Sequence, residues 1–122
     1  MHLLYEAEIK DQPVADVIAA LPVPPDGYAV AVATGADQQR AGIDATLGRF
    51  ARGWDVERMP ALDRAVLRLA TYELGHRPDV PRNVVINEAV ELAKRYSTDG
   101  SGAFVNGMLA RIADELRGPD GP

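Results

Sequence analysis

The sequence contains no cysteine and only two histidines, His2 and His76. Without thiols the chain cannot form disulfides, use a cysteine nucleophile or build a zinc site on sulfur ligands. The absence of disulfides is compatible with a reducing compartment. With so few soft ligands we predict neither a structural metal nor a cofactor.

Long apolar runs are also missing. The longest unbroken one spans Tyr28 to Ala33, far short of the ~20 residues that a membrane helix needs. A signal peptide has a basic start followed by an apolar run, whereas Glu6 and Glu8 interrupt the only apolar start of this chain. We therefore predict a cytoplasmic protein that does not contact a membrane.

Positive charge is scarce, because 13 Lys and Arg residues face 18 Asp and Glu residues and the formal net charge is −5. The net negative charge of the chain does not favour binding to nucleic acid, so any contact with nucleic acid must be local. Arginine is nearly the only basic residue. It favours bidentate contacts with phosphate, but we attribute most of this bias to overall composition.

What the sequence does contain is apolar residues at helical spacing. A chain of 122 residues with 47% apolar residues predicts one folded domain. The pattern predicts about six or seven helices, an all-α bundle, with no segment that requires a strand. The predicted segments are 3–10, 14–21, 27–51, a short turn at 55–60, 62–74, 85–96 and 101–116. The domain would cover residues 1–117, with residues 118–122 as a disordered tail.

Local signals refine these helices. Asp26 is predicted to cap the segment 27–51, which its glycines should weaken or break, and Ser101 is predicted to cap the last helix. Arg64 and Arg68 lie four residues apart, on the face of their helix opposite the apolar stripe.

No catalytic constellation is present. The glycines around Ser101 superficially resemble a phosphate-binding loop, but no strand precedes them and no Lys-Ser or Lys-Thr follows. A loop and a helix start are the simpler interpretation, although amides at such a start can still contact a nucleic-acid phosphate. Glu88 and Glu91 are followed by basic residues, which is typical of a solvated helix face. We predict that the chain is not an enzyme and has no catalytic residues.

Three acids, Asp55, Glu57 and Asp63, surround the short turn at 55–60. Acids near helix starts stabilise the helix dipole, which would make these residues structural. An acidic border around apolar residues such as Met59 and Leu62 also attracts a basic protein partner. The residues alone leave both interpretations open.

Several stretches resemble the NusB family of transcription antitermination factors. They are DRAVLRLATYEL at 63–74, DVP at 79–81, VINEAVELAK at 85–94, FVNGML at 104–109 and, more briefly, LLYEAE at 3–8. The resemblance implies an all-α protein of two small subbundles without catalytic activity. It also implies binding to boxA-type RNA together with the small-subunit ribosomal protein NusE, within a transcription elongation complex, to promote transcription of ribosomal RNA operons. Some family members form dimers, which leaves both a monomer and a homodimer open for this chain.

The resemblance also assigns residues to two surfaces. Glu57 and Asp63 would face the protein partner. Tyr5 in the first helix, and Gly100, Ser101 and Phe104 at the start of the last helix, would contact RNA. Stacking of bases on aromatic rings and phosphate contacts at a helix start make these assignments physically sensible.

The sequence departs from the family in two places. Gly100 stands where relatives commonly have an acidic residue, and the arginine-rich segment that precedes the first helix in relatives is absent. Either the true start lies upstream or the protein is genuinely short, and the uncapped first helix favours an upstream start. Two alternative functions follow: an RNA-recognition module that assists ribosomal RNA methylation, or a helical protein-binding module that has lost RNA binding.

Overall fold

The computed structural model describes residues 1–51, 55–98 and 100–118. They form seven α-helices and one short 3-10 turn, in agreement with the predicted all-α class. The helices are α1 (His2–Lys10), α2 (Val14–Ala19), α3 (Gly27–Gln38), α4 (Arg40–Phe50), α5 (Ala61–His76), α6 (Arg82–Tyr96) and α7 (Ser101–Arg117), and the 3-10 turn is Val56–Arg58. The tail predicted to be disordered, apart from its first residue, lies outside the described residues.

Helix α5 is the centre of the fold. It packs against α1, α3 and α4 on one side and against α6 and α7 on the other, so the two predicted subbundles share it. Apolar residues from both sides meet there, and Leu47, Leu67, Met108 and Leu109 are completely or almost completely buried. Burying each such side chain contributes about 1.5–3 kcal/mol to folding.

Because neighbours surround α5, its two arginines are buried, which the single apolar stripe does not predict. Arg64 and Arg68 are only 8% and 6% exposed. Arg68 donates two hydrogen bonds of 2.8 Å to the carboxylate of Asp44 in α4, and Arg64 pairs with Glu8 in α1. Unpaired charges are costly to bury, so these ion pairs explain how charged side chains are accommodated near the core.

The predicted segment 27–51 is two helices. As expected, the carboxylate of Asp26 accepts hydrogen bonds from the amides of Tyr28 and Ala29, at 3.0 and 3.2 Å, and so caps α3. The break falls at Gln39, which has non-helical backbone angles, rather than at a glycine.

Several arginines hold the bundle together by donating to main-chain carbonyls. Arg117, at the end of α7, donates to the carbonyls of Leu74 and Arg77 at 3.0 and 2.8 Å. It thereby closes the end of α5, where helix carbonyls have no partner within the helix. The planar guanidinium fork suits such multiple contacts, which gives part of the arginine bias a structural explanation.

In the described part of the chain, none of the helices has both the length and the apolar content that crossing a membrane requires.

Candidate functional site

A groove of about 270 Å³ lies where the 3-10 turn, the start of α5 and the start of α7 meet. It is lined mainly by apolar atoms, and the residues that line it are Met59, Pro60, Asp63, Thr98, Gly100, Ser101 and Phe104. Four of the six residues that the sequence assigned to two different surfaces therefore line one groove. The two predicted surfaces adjoin each other at this point.

Asp63 lies inside this site rather than on an exposed border. It is only 3% exposed. Its carboxylate accepts a hydrogen bond from the Ser97 hydroxyl and one of 3.1 Å from the Ser101 hydroxyl. The carboxylate is therefore not part of an exposed acidic border; it joins the start of α5 to the loop that precedes α7. Sequence reasoning could not identify this contact, because Ser97 lies 34 positions away along the chain.

The start of α7 also differs from the prediction that Ser101 caps it. Gly100 precedes the helix with a φ of 90°, in the left-handed region that favours glycine. Ser101 is the first helical residue, and its hydroxyl contacts Asp63 and lies 2.9 Å from the hydroxyl of Thr98. The N-terminal end of the α7 dipole, which favours anions, thus lies at the groove.

Two exposed acids lie at the 3-10 turn: Asp55 directly precedes it and Glu57 lies within it. Arg64 contacts this turn from the protein interior. One of its nitrogens donates to the carbonyls of Val56, Glu57 and Met59 at 2.8, 3.0 and 2.9 Å. The exposed acids are therefore presented on a fixed backbone. Sequence reasoning missed Arg64, because its position on α5 indicated a solvent-facing side chain.

Tyr5 lies on α1, is half-buried and packs against the core. It is not one of the described residues that line the groove. The first turn of α1 nevertheless lies beside the end of α6, because the ring of His2 makes an edge contact with Tyr96, with 4.9 Å between the ring centroids. Tyr96 directly precedes the loop that leads to Gly100, so the first residue of α1 lies close to the start of that loop.

Phe104 lies one turn into α7, is half-buried and also packs against the core. Its amide donates to the carbonyl of Gly100 at 3.1 Å. It is one of the residues that line the groove. An aromatic ring next to a helix start is a combination that can contact both a base and its phosphate.

Comparison with known proteins identifies the family. The NusB family model matches residues 1–114. The chain belongs to the NusB family. A transcription antitermination protein NusB from Thermobifida fusca is 43% identical over 119 residues, covering 94% of this chain and 84% of the relative. The NusB protein of Sorangium cellulosum is 43% identical over 122 residues, covering 95% of this chain and 87% of the relative.

The fold agrees with that of a solved NusB structure. NusB from T. maritima superposes with a TM-score of 0.85 at 38% sequence identity, covering 99% of this chain and 87% of that chain. The resemblance noted in the sequence is thereby confirmed for the family and for the fold. Transcription antitermination is accordingly the function that these similarities support.

Proposed function

We propose that this chain acts in transcription antitermination by binding boxA-type RNA together with the ribosomal protein NusE. Within the transcription elongation complex the pair would promote transcription of ribosomal RNA operons. The observation that carries the proposal is the groove at the start of α7, because residues expected to contact RNA lie there beside the acidic 3-10 turn expected to contact protein. The proposal requires no catalytic step and places the protein in the cytoplasm.

Charge supports the protein side of the proposal. Glu57 is exposed on the 3-10 turn, and the turn is fixed by the buried Arg64. Asp55, directly before the turn, is also exposed but pairs with Arg58 at 3.6 Å, so Glu57 carries the uncompensated charge. A ribosomal protein is typically basic because it binds ribosomal RNA. Complementary charge at the edge of an interface raises the association rate and the specificity.

Aromatic rings and a helix start support the RNA side. Single-stranded RNA is recognised by stacking on aromatic rings and by contacts to phosphate. Phe104 supplies a ring at the α7 start, and the resemblance to the family adds Tyr5 on α1. The net charge of −5 predicts weak RNA binding by the chain alone. A basic partner seated beside the groove would supply the missing positive charge.

The test is the affinity for a labelled boxA RNA, measured by fluorescence anisotropy with and without NusE. A scrambled RNA of the same composition is the control. We expect binding of the complex to be tighter for boxA than for the scrambled RNA, and to weaken as salt increases. Equal affinity for the two RNAs would contradict the proposal. Binding to NusE without any RNA binding would instead identify a helical protein-binding module.

A further inference from the structure

Arg64 connects three parts of the molecule. Arg64 lies in the first turn of α5. One of its terminal nitrogens donates to the carbonyls of Val56, Glu57 and Met59. The other pairs with a carboxylate oxygen of Glu8 in α1. The Arg64 side chain is 10% exposed and that of Glu8 is 19% exposed. The 3-10 turn and α1 are thus joined by one buried guanidinium.

The direction of the guanidinium fork depends on Glu8. Three main-chain carbonyls carry only partial negative charge, whereas the carboxylate of Glu8 carries a full one. The other oxygen of Glu8 lies 3.9 Å from Arg68, which is itself held by Asp44. At that distance the oxygen accepts no hydrogen bond from the described residues. Arg64 is therefore the group that holds Glu8, and the Glu8 carboxylate in turn orients the second terminal nitrogen of Arg64.

Glu8 also links the turn to the RNA-facing part of α1. It follows Tyr5 by three residues, so the two side chains are neighbours on the helix surface. A movement of α1 that displaces Tyr5 would therefore also displace Glu8. Through Arg64 it would shift the 3-10 turn that carries Glu57.

We infer that Glu8 and Arg64 are positioning residues that hold the partner-facing turn in place against α1, so that affinity for the protein partner depends on Glu8. This inference rests on the proposed function, since it takes the turn at Glu57 as the partner surface. Neither residue needs to touch the partner, because Glu8 is mostly buried and Arg64 contacts the inner side of the turn.

The experiment compares NusE affinity, by isothermal titration calorimetry, for the full-length wild type, Glu8→Gln, Arg64→Lys and the double variant. Gln keeps the shape of Glu8 without its charge, and Lys keeps the charge of Arg64 without the fork. We expect each single substitution to weaken NusE binding by about tenfold, the effect of losing one charge-assisted contact. The double variant should bind NusE as tightly as the weaker-binding of the two single variants, because the two residues act as one unit.

Glu6→Gln is the matched control. Glu6 lies on the same helix, is 38% exposed and pairs with Lys10 at 2.8 Å, so its substitution should leave NusE affinity unchanged. Amide hydrogen exchange without NusE supplies a second measurement. In Glu8→Gln the amides of Arg58 and Met59, which close the 3-10 turn, should exchange faster while the amides of α7 keep their protection.

The outcomes separate this inference from the proposed function. If the wild type binds NusE and Glu8→Gln binds equally tightly, the inference is overturned and the proposed function stands. If the wild type does not bind NusE, both are overturned. If Glu8→Gln accelerates exchange in all helices to the same degree, Glu8 contributes general stability and has no positioning role, which also overturns the inference. Arg64→Lys tests the same link should Glu8→Gln fail to fold.

Discussion

The ring of Tyr72 in α5 lies directly against the backbone of Gly35 in α3. A Cβ atom built on Gly35 would overlap the hydroxyl oxygen of Tyr72 and the ring carbon that carries it. Real Cβ atoms do not approach other atoms so closely. The absence of a side chain at Gly35 therefore sets how closely α3 packs on α5, and Tyr72 in turn stacks on His76 at 4.7 Å between ring centroids.

We predict that Gly35→Ala destabilises the protein, although alanine is the better helix former. Within a helix the exchange of Gly for Ala ordinarily adds up to about 1 kcal/mol of stability. At Gly35 overpacking against Tyr72 should cost about 1–3 kcal/mol instead. Urea unfolding followed by circular dichroism gives the free energy of unfolding.

Gly48→Ala is the matched control, because Gly48 lies in α4, is exposed and has open space where a Cβ would stand. It should stabilise the protein, or leave it unchanged. Adding Tyr72→Leu to Gly35→Ala should restore part of the free energy of unfolding that Gly35→Ala removes. A gain in stability from Gly35→Ala alone would show that Tyr72 does not press on α3.

Apolar spacing predicts the helices of this protein well because it is a local signal. The segment predicted at 85–96 is α6, Arg82–Tyr96. The last helix, predicted to follow a Ser101 cap, begins at Ser101 itself, with Gly100 as the cap. The break of the 27–51 segment was foreseen, but its position was not. Glycine weakens a helix wherever it lies, so the glycines of this segment do not indicate that the break falls at Gln39.

Four of the six residues that the sequence assigned to the two surfaces line the groove, but their contacts could not be predicted. Glycine, serine and an aromatic residue near a helix start indicate the groove region around Gly100. The burial of Asp63 depends on Ser97 and Ser101, and that of Arg64 depends on Glu8. Each of these partners lies on an element distant in sequence. No local pattern distinguishes an arginine that faces solvent from one that faces a second layer of helices.

A second contact between α3 and α5 predicts a pH effect. The hydroxyl of Tyr28 donates a hydrogen bond of 2.7 Å to the carboxylate of Glu73, which is only 7% exposed. Burial raises the pKa of Glu73, and the nearby negative charge of Glu88 raises it further, while the hydrogen bond from Tyr28 opposes the shift. The folded protein therefore binds this proton more tightly than the unfolded chain.

We predict that Glu73 reduces stability once it is ionised. Because its pKa is higher in the folded state, its contribution to stability is fully present below the pKa of the unfolded chain and is lost as pH rises through the folded pKa. The difference in free energy of unfolding between wild type and Glu73→Gln should therefore shift in favour of Glu73→Gln as pH rises across the acidic range. The glutamine oxygen can still accept from Tyr28. Chemical denaturation at a series of pH values measures this difference, and a constant difference would contradict the predicted pKa shift.

The acidic turn predicts a charge effect on partner binding. Glu57→Lys should weaken the affinity for NusE, because it replaces an attractive charge by a repulsive one at an exposed position. The melting temperature should change little, since the Glu57 side chain is exposed and Arg64 contacts its carbonyl instead. Asp16→Lys, at an exposed position on α2, is the control with the same change of charge. Similar NusE affinity for both variants would place the partner surface elsewhere.

Asp63 requires a different test from Glu57, because its carboxylate is buried and hydrogen-bonded to Ser97 and Ser101. Reversing its charge would disturb the groove as well as any partner contact. Asp63→Asn retains an acceptor oxygen, and we expect it to lower stability by about 1–3 kcal/mol through the loss of charge-assisted hydrogen bonds. Thermal unfolding gives this value. A melting temperature equal to that of the wild type would mean that Asp63 does not hold the loop.

The aromatic rings of Tyr5 and Phe104 predict an effect on RNA binding alone. Both Tyr5 and Phe104 pack partly against the core, so substitution by alanine would confuse loss of packing with loss of stacking. Leucine fills much of the same volume but offers no aromatic face. We expect Tyr5→Leu with Phe104→Leu to weaken boxA binding by the NusE complex by about 1–3 kcal/mol per stacked base, while NusE affinity is retained. Phe50→Leu, a half-buried position on α4, is the control, and unchanged boxA affinity in the double variant would exclude stacking on these two rings.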